Sequence, residues 1–399
     1  MMQQVGLKEP ADYDFLVPPQ TVFGWGRRKE VGALAAQWGK RAFLVSGSRT
    51  LARSEMWGDI KASLLKAGVN TIEVATISHE PEVEDVDHTV AALKAFTAGP
   101  GDLLLAIGGG SAIDLAKAAA ALVMQPGEAS VVDYLEGVGR GLSIANPPLP
   151  LIAMPTTAGT GTEATKNAVI SSYSPPFKKS LRHDLMIPRV ALIDPELTVS
   201  VPPAVTAHTG LDALTQCIES YLSRRAKPIP QALAWQGMQL AFRNLPEAVR
   251  DGTQRPPREA MAHAALLSGM ALANSGLGLA HGVAAALGVH AKTPHGLACA
   301  MMLPVAMRVN LEVCCDDLAL IGEWMTRRSW LTTHAAAEAA IDCVTQLCRD
   351  LNVPAKLSEI GVTADQIPQL VSGSRGNSMN GNPCEVSDLQ LGQLLESML

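Results

Sequence analysis

The first half of the chain alternates short apolar runs with longer stretches in which apolar residues recur every three or four positions. The runs "KRAFLVSG" (Lys40 to Gly47) and "GDLLLAIGGG" are rich in Leu, Val and Ile and end in glycine, which is typical of buried strands. The stretches between them, such as "EMWGDIKASLLKAG" and "VEDVDHTVAALKAF", have the spacing of amphipathic helices. Further strands are predicted at "NTIEVATI", "LPLIAMPTT" and "RVALIDP". This alternation predicts an α/β domain with a mostly parallel, doubly wound sheet.

The pattern changes after "IDPELTVSVPP". From Ala204 to the C-terminus almost every segment has helical spacing, and Pro and Gly separate one segment from the next. We therefore predict two domains, an α/β domain over residues 1–198 and an all-α domain over residues 199–399, with the boundary between Thr198 and Pro203.

The composition agrees with a two-domain globular protein. The chain has 399 residues, of which 47% are hydrophobic and 18% are charged. A net charge of −6 without a long basic run argues against a nucleic-acid partner. No apolar stretch is long enough to cross a membrane, the N-terminus lacks the apolar segment of a signal peptide, and the seven cysteines lack paired spacing. These features predict a cytoplasmic protein with reduced cysteines.

Two glycine-rich or hydroxyl-rich loops follow predicted strands. "GGGSAIDLAK" (Gly108 to Lys117) opens a helix, so that backbone N–H groups and the helix N-terminus could hold a pyrophosphate. "PTTAGTGTEAT" (Pro155 to Thr165) offers hydroxyls suited to phosphate, ribose and amide groups. Each loop alone could be an ordinary turn, but two of them at strand ends of one sheet favour a dinucleotide site.

These segments, together with "FGWG", "LIDPELT", "TGLDALTQCIESY", "LAHGVAAALG" and "TPHGLACAMMLP", resemble the iron-containing (group III) alcohol dehydrogenase family over nearly the whole chain. That family is related to glycerol dehydrogenase, maleylacetate reductase and dehydroquinate synthase. The resemblance implies a Rossmann-like N-terminal domain, a helical C-terminal domain of the dehydroquinate-synthase-like type, and an active site in the cleft between them. It also implies an NAD(P)-dependent enzyme that acts on a small alcohol or aldehyde, and a homodimer.

The resemblance implies roles for individual residues of the cofactor site. Lys179 would reach the nicotinamide ribose, and Asn167 would face the nicotinamide and the substrate, although a polar residue at a strand edge explains Asn167 equally well. The remaining implied cofactor residues hold the pyrophosphate or line the cofactor: Gly108, Gly109, Gly110, Ser111, Asp114, Thr156, Thr157, Thr160 and Thr162.

The end of the first predicted strand bears on the choice of nicotinamide cofactor. Relatives that prefer NAD typically carry an aspartate where this chain has Gly47, followed here by Ser48 and Arg49. Loss of a carboxylate and gain of a hydroxyl and a guanidinium favour the 2′-phosphate of NADP. NAD is the alternative, in which Arg49 is simply a solvated residue at a helix start.

A divalent metal is implied by four positions that hold one aspartate and three histidines in relatives. Asp212, His281 and His295 match three of them, whereas Gln216 replaces the usual histidine. A neutral amide oxygen is a weaker ligand than imidazole for iron or zinc and shifts preference toward harder ions such as manganese. We predict a metal site with iron or zinc and with manganese as an alternative. Relatives of the maleylacetate reductase type work without metal, so a metal-independent reductase is the alternative function.

A second departure from the family concerns proton transfer. The histidine that serves relatives as a proton relay is replaced by Ala285. His290 or His208 could substitute for it, although a surface histidine on a helix is the more ordinary explanation of each. The predicted catalytic residues are therefore His281, His295, His290 and Asn167.

Two further hypotheses are a lyase that resembles dehydroquinate synthase, which the dehydrogenase motifs disfavour, and a non-catalytic dinucleotide-binding protein.

Overall fold

The computed structural model describes residues 12–47 and 54–399. Its central feature is a six-stranded parallel sheet with the order β1-β8-β5-β4-β2-β3, accompanied by a separate antiparallel pair, β6 and β7. The strands are β1 (Gln20–Phe23), β2 (Arg41–Gly47), β3 (Asn70–Ile77), β4 (Asp102–Gly108), β5 (Leu151–Pro155), β6 (Asn167–Tyr173), β7 (Pro176–Arg182) and β8 (Val190–Ile193).

Strand β4 shows why the sheet is parallel and central. All seven of its residues are buried, because helices cover both faces of a parallel sheet. A strand in that position needs apolar residues on both faces, which explains the uninterrupted apolar run in the sequence. The predicted α/β fold with a mostly parallel sheet is confirmed. The hairpin β6–β7 was not predicted, because "PFKKSLR" is half-exposed and polar and therefore lacks the apolar signature of a buried strand.

Thirteen α-helices lie within the described residues. They are α1 (Val31–Ala35), α2 (Glu55–Lys66), α3 (Val83–Ala95), α4 (Gly110–Leu122), α5 (Pro203–Leu222), α6 (Pro228–Arg250), α7 (Arg255–Ser275), α8 (Leu279–His290), α9 (His295–Val309), α10 (Cys315–Thr326), α11 (Thr333–Asp350), α12 (Ile367–Gly373) and α13 (Asp388–Glu396). Helices α5 to α13 follow the last strand without interruption by any further strand of the described chain, as the helical spacing predicted.

Helix α5 is the central helix of the second half. Every residue from Gly210 to Leu222 is buried, and the helix packs against α6, α7 and α9. Its polar side chains Asp212, Gln216 and Glu219 are therefore among those removed from water. Buried polar and charged groups are costly unless they have partners, so each must be satisfied by a neighbouring element or by a ligand.

Two glycines fix the position of the loop after β5 against the helices. A Cβ atom on Gly161 would lie 2.6 Å from Cα of Gly269 on α7, and one on Gly159 would lie 2.7 Å from Cβ of Thr209 on α5. These approaches leave no room for side chains. The loop at the carboxyl end of β5 thus packs directly against the two helices that border the metal-ligand positions.

The helices of the described chain include no single one that is both long enough and apolar enough to cross a membrane. Helices α7 and α8 reach that length and composition only together, and a bend of 102° separates them.

Candidate active site

Three side chains from three helices converge beside α5. Asp212 lies in the middle of α5, His281 in the first turn of α8 and His295 at the first position of α9. Oδ1 of Asp212 is 3.2 Å from Nε2 of His281 and 3.9 Å from Nε2 of His295. The helices come this close partly because Gly296 has no side chain, since a Cβ atom there would lie 2.5 Å from the carbonyl oxygen of His208 on α5.

Glu219 orients His281 from the opposite side. Its Oε2 lies 2.6 Å from Nδ1 of His281, and its Oε1 accepts a hydrogen bond of 2.6 Å from the backbone N–H of Ala280 in the first turn of α8. The carboxylate therefore binds the positive end of a helix and fixes the ring of the histidine at once. This role was not predicted from the sequence, although Glu219 lies two helical turns after Asp212 on the same helix.

The arrangement around His281 suits a cation. When Nδ1 donates its proton to Glu219, the lone pair of Nε2 faces the carboxylate oxygen of Asp212. Two acceptors at 3.2 Å need either a second proton on the imidazole or a metal ion between them. The second nitrogen of a metal-bound histidine commonly donates to a carboxylate, as Nδ1 does here. The residues present therefore fit a divalent metal.

Cys299 completes the cluster and was not among the predicted site residues. It lies one turn after His295 on α9, and its Sγ is 3.6 Å from Nε2 of that histidine. One potential ligand atom from each of Asp212, His281, His295 and Cys299 lies within 4.8 Å of all the others. The His295–Cys299 spacing of four residues on a helix is a signal that could have identified it.

Burial and charge shift the proton affinities of this cluster in opposite directions. Burial lowers the pKa of His295 to about 4, assisted by the positive charge of Lys178. Burial also tends to lower the pKa of His281, but Cys299, Asp212 and Glu219 outweigh it and raise that pKa well above its usual value. Burial raises the pKa of the Cys299 thiol to about 12, and a bound cation would reverse this, since a coordinating thiol is deprotonated.

Gln216 is buried on α5 one turn after Asp212, and its amide is held by α7. Its Oε1 lies 2.6 Å from Oγ of Ser268, which also lies 2.8 Å from the carbonyl oxygen of Ala265. The residue predicted as a weak ligand thus has a hydrogen-bond partner on α7.

Two lysines of β7 occupy different environments. Lys178 is nearly buried, forms an ion pair of 2.6 Å with Glu80, and its charge acts on His295. Lys179 is the next residue, so its side chain points to the other face of the hairpin. Asn167 begins β6, and its Oδ1 is buried without a hydrogen-bond partner among the described residues. That oxygen is therefore available to an amide donor.

The glycines of the predicted cofactor site are required by close packing between loops. A Cβ atom on Gly47 would lie 2.9 Å from Cα of Gly108, so the ends of β2 and β4 touch through their backbones. Gly109 lies against the side chain of Thr157, and Gly110 lies against the side chain of Thr160. Neither glycine leaves room for a side chain of its own. Gly47 consequently has a packing reason that is independent of any cofactor. Ser48 and Arg49, which were predicted to bind the 2′-phosphate, lie outside the described residues.

The other predicted cofactor residues divide into two groups. Ser111 lies in the first turn of α4, and Thr156 donates its backbone N–H to Gly108, so both border the loop at the strand ends. Asp114 and Thr162 instead bond to each other in a buried network with Lys117, which reaches Thr162 and the backbone of Asn167. This network joins α4 to β6, since Asp114 also accepts the backbone N–H of Val169, so Asp114 has structural partners in addition to the cofactor role predicted for it.

The two histidines considered as substitutes for the proton relay lie in different places. His290 is nine residues beyond His281 on α8, about 13 Å along the helix axis, where its ring packs against Gly373. His208 lies one turn before Asp212 on α5, and burial lowers its pKa. Ala285 presents no ionisable group. His208 therefore lies on the same face of α5 as Asp212, whereas His290 lies at the far end of α8.

Comparisons with known proteins agree with this geometry. Residues 18–195 match the family described as iron-containing alcohol dehydrogenase, and residues 206–399 match the C-terminal part of the Fe-containing alcohol dehydrogenase family. An NAD-dependent methanol dehydrogenase of Bacillus methanolicus is 32% identical over 97% of this chain and 100% of its own length. The crystal structure of a 1,3-propanediol oxidoreductase superposes with a TM-score of 0.89 and 31% identity, covering 98% of this chain and 100% of the other.

A third relative has a cofactor in its structure. A sulfoacetaldehyde reductase from Bifidobacterium kashiwanohense in complex with NAD+ superposes with a TM-score of 0.83 at 28% identity, over 97% of this chain and 99% of the other. The resemblance deduced from the motifs is thereby confirmed. The chain belongs to the iron-containing alcohol dehydrogenase family and is an NAD(P)-dependent oxidoreductase of the alcohol dehydrogenase type.

Proposed function

We propose that the protein interconverts a small alcohol and its aldehyde with a divalent metal held by Asp212, His281 and His295. The observation that carries this proposal is the convergence of three ligand atoms from α5, α8 and α9, with Glu219 bonded to the outer nitrogen of His281. A metal bound there would polarise the substrate oxygen and stabilise the developing alkoxide.

The residues around the cluster have distinct tasks in hydride transfer. Oδ1 of Asn167, which has no partner among the described residues, would accept a hydrogen bond from the carboxamide of a bound nicotinamide and so help to orient it. The glycines at the ends of β2 and β4 allow the cofactor backbone to approach the sheet, and the N-terminus of α4 stabilises its negative charge. Because Ala285 cannot carry a proton, solvent water or His208 would have to accept the alcohol proton, and a ribose hydroxyl of the bound cofactor would offer an alternative acceptor.

The cofactor is proposed to be NADP, with NAD as the alternative. Support comes from the absence of a carboxylate at Gly47, which would repel a 2′-phosphate, although the contact of Gly47 with Gly108 weakens this support. Comparison of kcat/KM for NADPH and NADH with one aldehyde decides between them. A ratio in favour of NADH would refute the preference while leaving the dehydrogenase function intact.

The decisive experiment follows oxidation of NADPH and NADH with a panel of short aldehydes before and after removal of metal by a chelator. Activity that disappears on chelation and returns with Fe²⁺, Zn²⁺ or Mn²⁺ is expected. Activity that survives chelation would favour a metal-independent reductase of the maleylacetate reductase type. In that case an N–H of His295 would be the hydrogen-bond donor to the carbonyl, because Glu219 and Asp212 engage both ring nitrogens of His281.

We further propose a homodimer located in the cytoplasm. All seven cysteines are free, as expected in a reducing compartment. Strand β1 lies at the edge of the six-stranded sheet, and such an edge can pair with a second copy. Light scattering coupled to size-exclusion chromatography tests the dimer, for which a mass of one chain would be the contradicting result.

A further inference from the structure

We propose that Cys299 is the fourth protein ligand of the metal, so that the site consists of one aspartate, two histidines and one thiolate. The inference rests on the proposed metal-dependent function and replaces the amide of Gln216 as the fourth donor. It restores four protein donors, the number that relatives reach with one aspartate and three histidines, but it introduces sulfur where they have nitrogen.

The separations between the donor atoms match those of a small coordination sphere. Metal bonds of about 2.0–2.3 Å at tetrahedral angles place neighbouring donors about 3.3–3.6 Å apart. Three of the six separations are 3.2 Å from Asp212 to His281, 3.9 Å from Asp212 to His295 and 3.6 Å from His295 to Cys299. The other three are at most 4.8 Å, so the donors have to close by no more than about 1 Å to surround one ion.

Each of the two protein groups on α9 reaches the cluster because of helical geometry. His295 and Cys299 are separated by four residues, so their side chains lie one above the other on the same face of the helix. This is the arrangement in which two ligands from one helix can bind one metal. On α5 the same spacing joins Asp212 to Gln216, but the amide oxygen of Gln216 is 2.6 Å from the hydroxyl of Ser268. The helix that lost a histidine ligand therefore supplies one donor, and α9 supplies two.

The charge of such a site also differs. Asp212 and a thiolate at Cys299 together carry two negative charges, which balance a divalent cation. On binding, the S–H bond of Cys299 breaks, its proton passes to solvent, and the electron pair of sulfur forms the bond to the metal. Thiolate ligands favour zinc over harder cations, so the site should prefer zinc to manganese or magnesium. The amide ligand predicted from the sequence implies the opposite shift.

X-ray absorption at the zinc edge tests the proposal on the unaltered protein. We expect one sulfur at about 2.3 Å together with nitrogen or oxygen at about 2.0–2.1 Å. A first shell of nitrogen and oxygen alone would overturn the assignment of Cys299, even if turnover depends on metal. Failure to bind zinc at all would also overturn the assignment of Cys299. If turnover nevertheless continued without metal, the dehydrogenase function would stand independently of that assignment.

Cobalt-substituted protein provides a second readout that is independent of activity. Wild type should show a near-ultraviolet thiolate-to-cobalt charge-transfer band. The variant Cys299→Ser should lose it and bind zinc at least about 10-fold more weakly. Cys343→Ser is the matched control, because Cys343 lies half-buried on α11 outside the cluster and its loss should leave the band unchanged. A band that survives in Cys299→Ser, or disappears in Cys343→Ser, would contradict the proposal.

Discussion

The carboxylate of Glu219 lies 2.6 Å from Nδ1 of His281 and at the same time accepts the backbone N–H of Ala280 at the start of α8. One side chain thus determines both where the helix begins and which nitrogen of its histidine faces Asp212. Because α5 carries Asp212 and Glu219 two turns apart, a single helix supplies one proposed ligand and the group that orients another.

Replacement of Glu219 by glutamine should therefore weaken metal binding without removing a ligand. The amide keeps an acceptor for the helix N-terminus but loses the charge that orients the imidazole, and losses of about 10-fold to 100-fold in metal affinity follow from changes of this kind. A competition titration with a coloured zinc chelator measures the effect. The exposed Glu312 provides a control, and Glu312→Gln should bind zinc as wild type does. Equal affinities for Glu219→Gln and wild type would show that the contact does not orient a ligand.

The proposal that Cys299 rather than Gln216 is the fourth donor predicts that a second substitution can restore zinc affinity to the Cys299→Ser variant. If Cys299 supplies the fourth donor, then Cys299→Ser weakens zinc binding, and adding Gln216→His should restore a fourth donor on α5. We expect the double variant to recover metal affinity while its cobalt spectrum lacks the thiolate band. Failure of Gln216→His to raise the affinity of Cys299→Ser would show that position 216 does not face the metal, consistent with its contact with Ser268.

Neighbouring lysines on β7 provide a matched pair for the cofactor site. Lys178 is nearly buried and acts on His295, whereas Lys179 points to the other face of the hairpin. We expect Lys178→Ala to raise the KM for the nicotinamide cofactor or to lower kcat by about 10-fold or more, and Lys179→Ala to change both little. The reverse ranking would support the sequence-based prediction that Lys179 reaches the nicotinamide ribose. Steady-state kinetics at saturating aldehyde separate the two.

Glu163 should make stability depend on pH in a direction opposite to that of an ordinary carboxylate. Burial raises its pKa to about 7, above the usual 4.5, so the folded protein holds a proton that the unfolded chain has released. Stability therefore falls as pH rises from about 4.5 to 7 and is constant above that range, with a total loss of up to about 3 kcal/mol. Urea unfolding at pH 5 and pH 8 measures it.

The variant Glu163→Gln isolates this effect, because an amide of the same shape does not titrate. It should reduce the difference in unfolding free energy between the two pH values and should be the more stable protein at pH 8. An unchanged pH dependence in the variant would assign the effect to other groups.

The substitution Gly47→Asp should destabilise the folded protein, whatever its effect on the preference between NADP and NAD. The Cβ atom of the aspartate would lie 2.9 Å from Cα of Gly108, where two strand ends touch, and relief of such overlap costs about 1–3 kcal/mol. Gly58 on α2 is the matched control, since a Cβ atom there meets nothing within 4 Å and Gly58→Ala should be neutral or stabilising. Chemical denaturation of both variants checks the comparison. If Gly47→Asp is as stable as wild type and favours NADH, charge rather than packing explains the glycine.

Apolar periodicity predicted the parallel sheet and the helical second half because burial on both faces, or along one stripe, leaves a direct mark on the sequence. It could not indicate the hairpin β6–β7, whose half-exposed lysines and serines leave no such mark. The separations in sequence between Asp212, His281 and His295 are so long that only the motifs linked them. Cys299 was overlooked because its ligand geometry depends on how α9 is positioned against α5, and the packing role of Gly47 because contact between two strand ends is a property of the sheet.

The contact between Gly161 and Gly269 has a consequence for how the site can vary. Where two backbones touch without side chains between them, a side chain added at either position would force them apart, because a Cβ atom on Gly161 would lie 2.6 Å from Cα of Gly269. Helix α7 in turn packs on α5, where Ser268 donates to Gln216 and Arg258 donates to Thr206, so main-chain and side-chain contacts together hold the loop after β5 against that helix. Hydride transfer tolerates little error in the distance between donor and acceptor. A site whose helices and loop are held in this way would allow one ligand side chain to replace another, such as the exchange proposed between positions 216 and 299, while the reacting atoms keep the same distance.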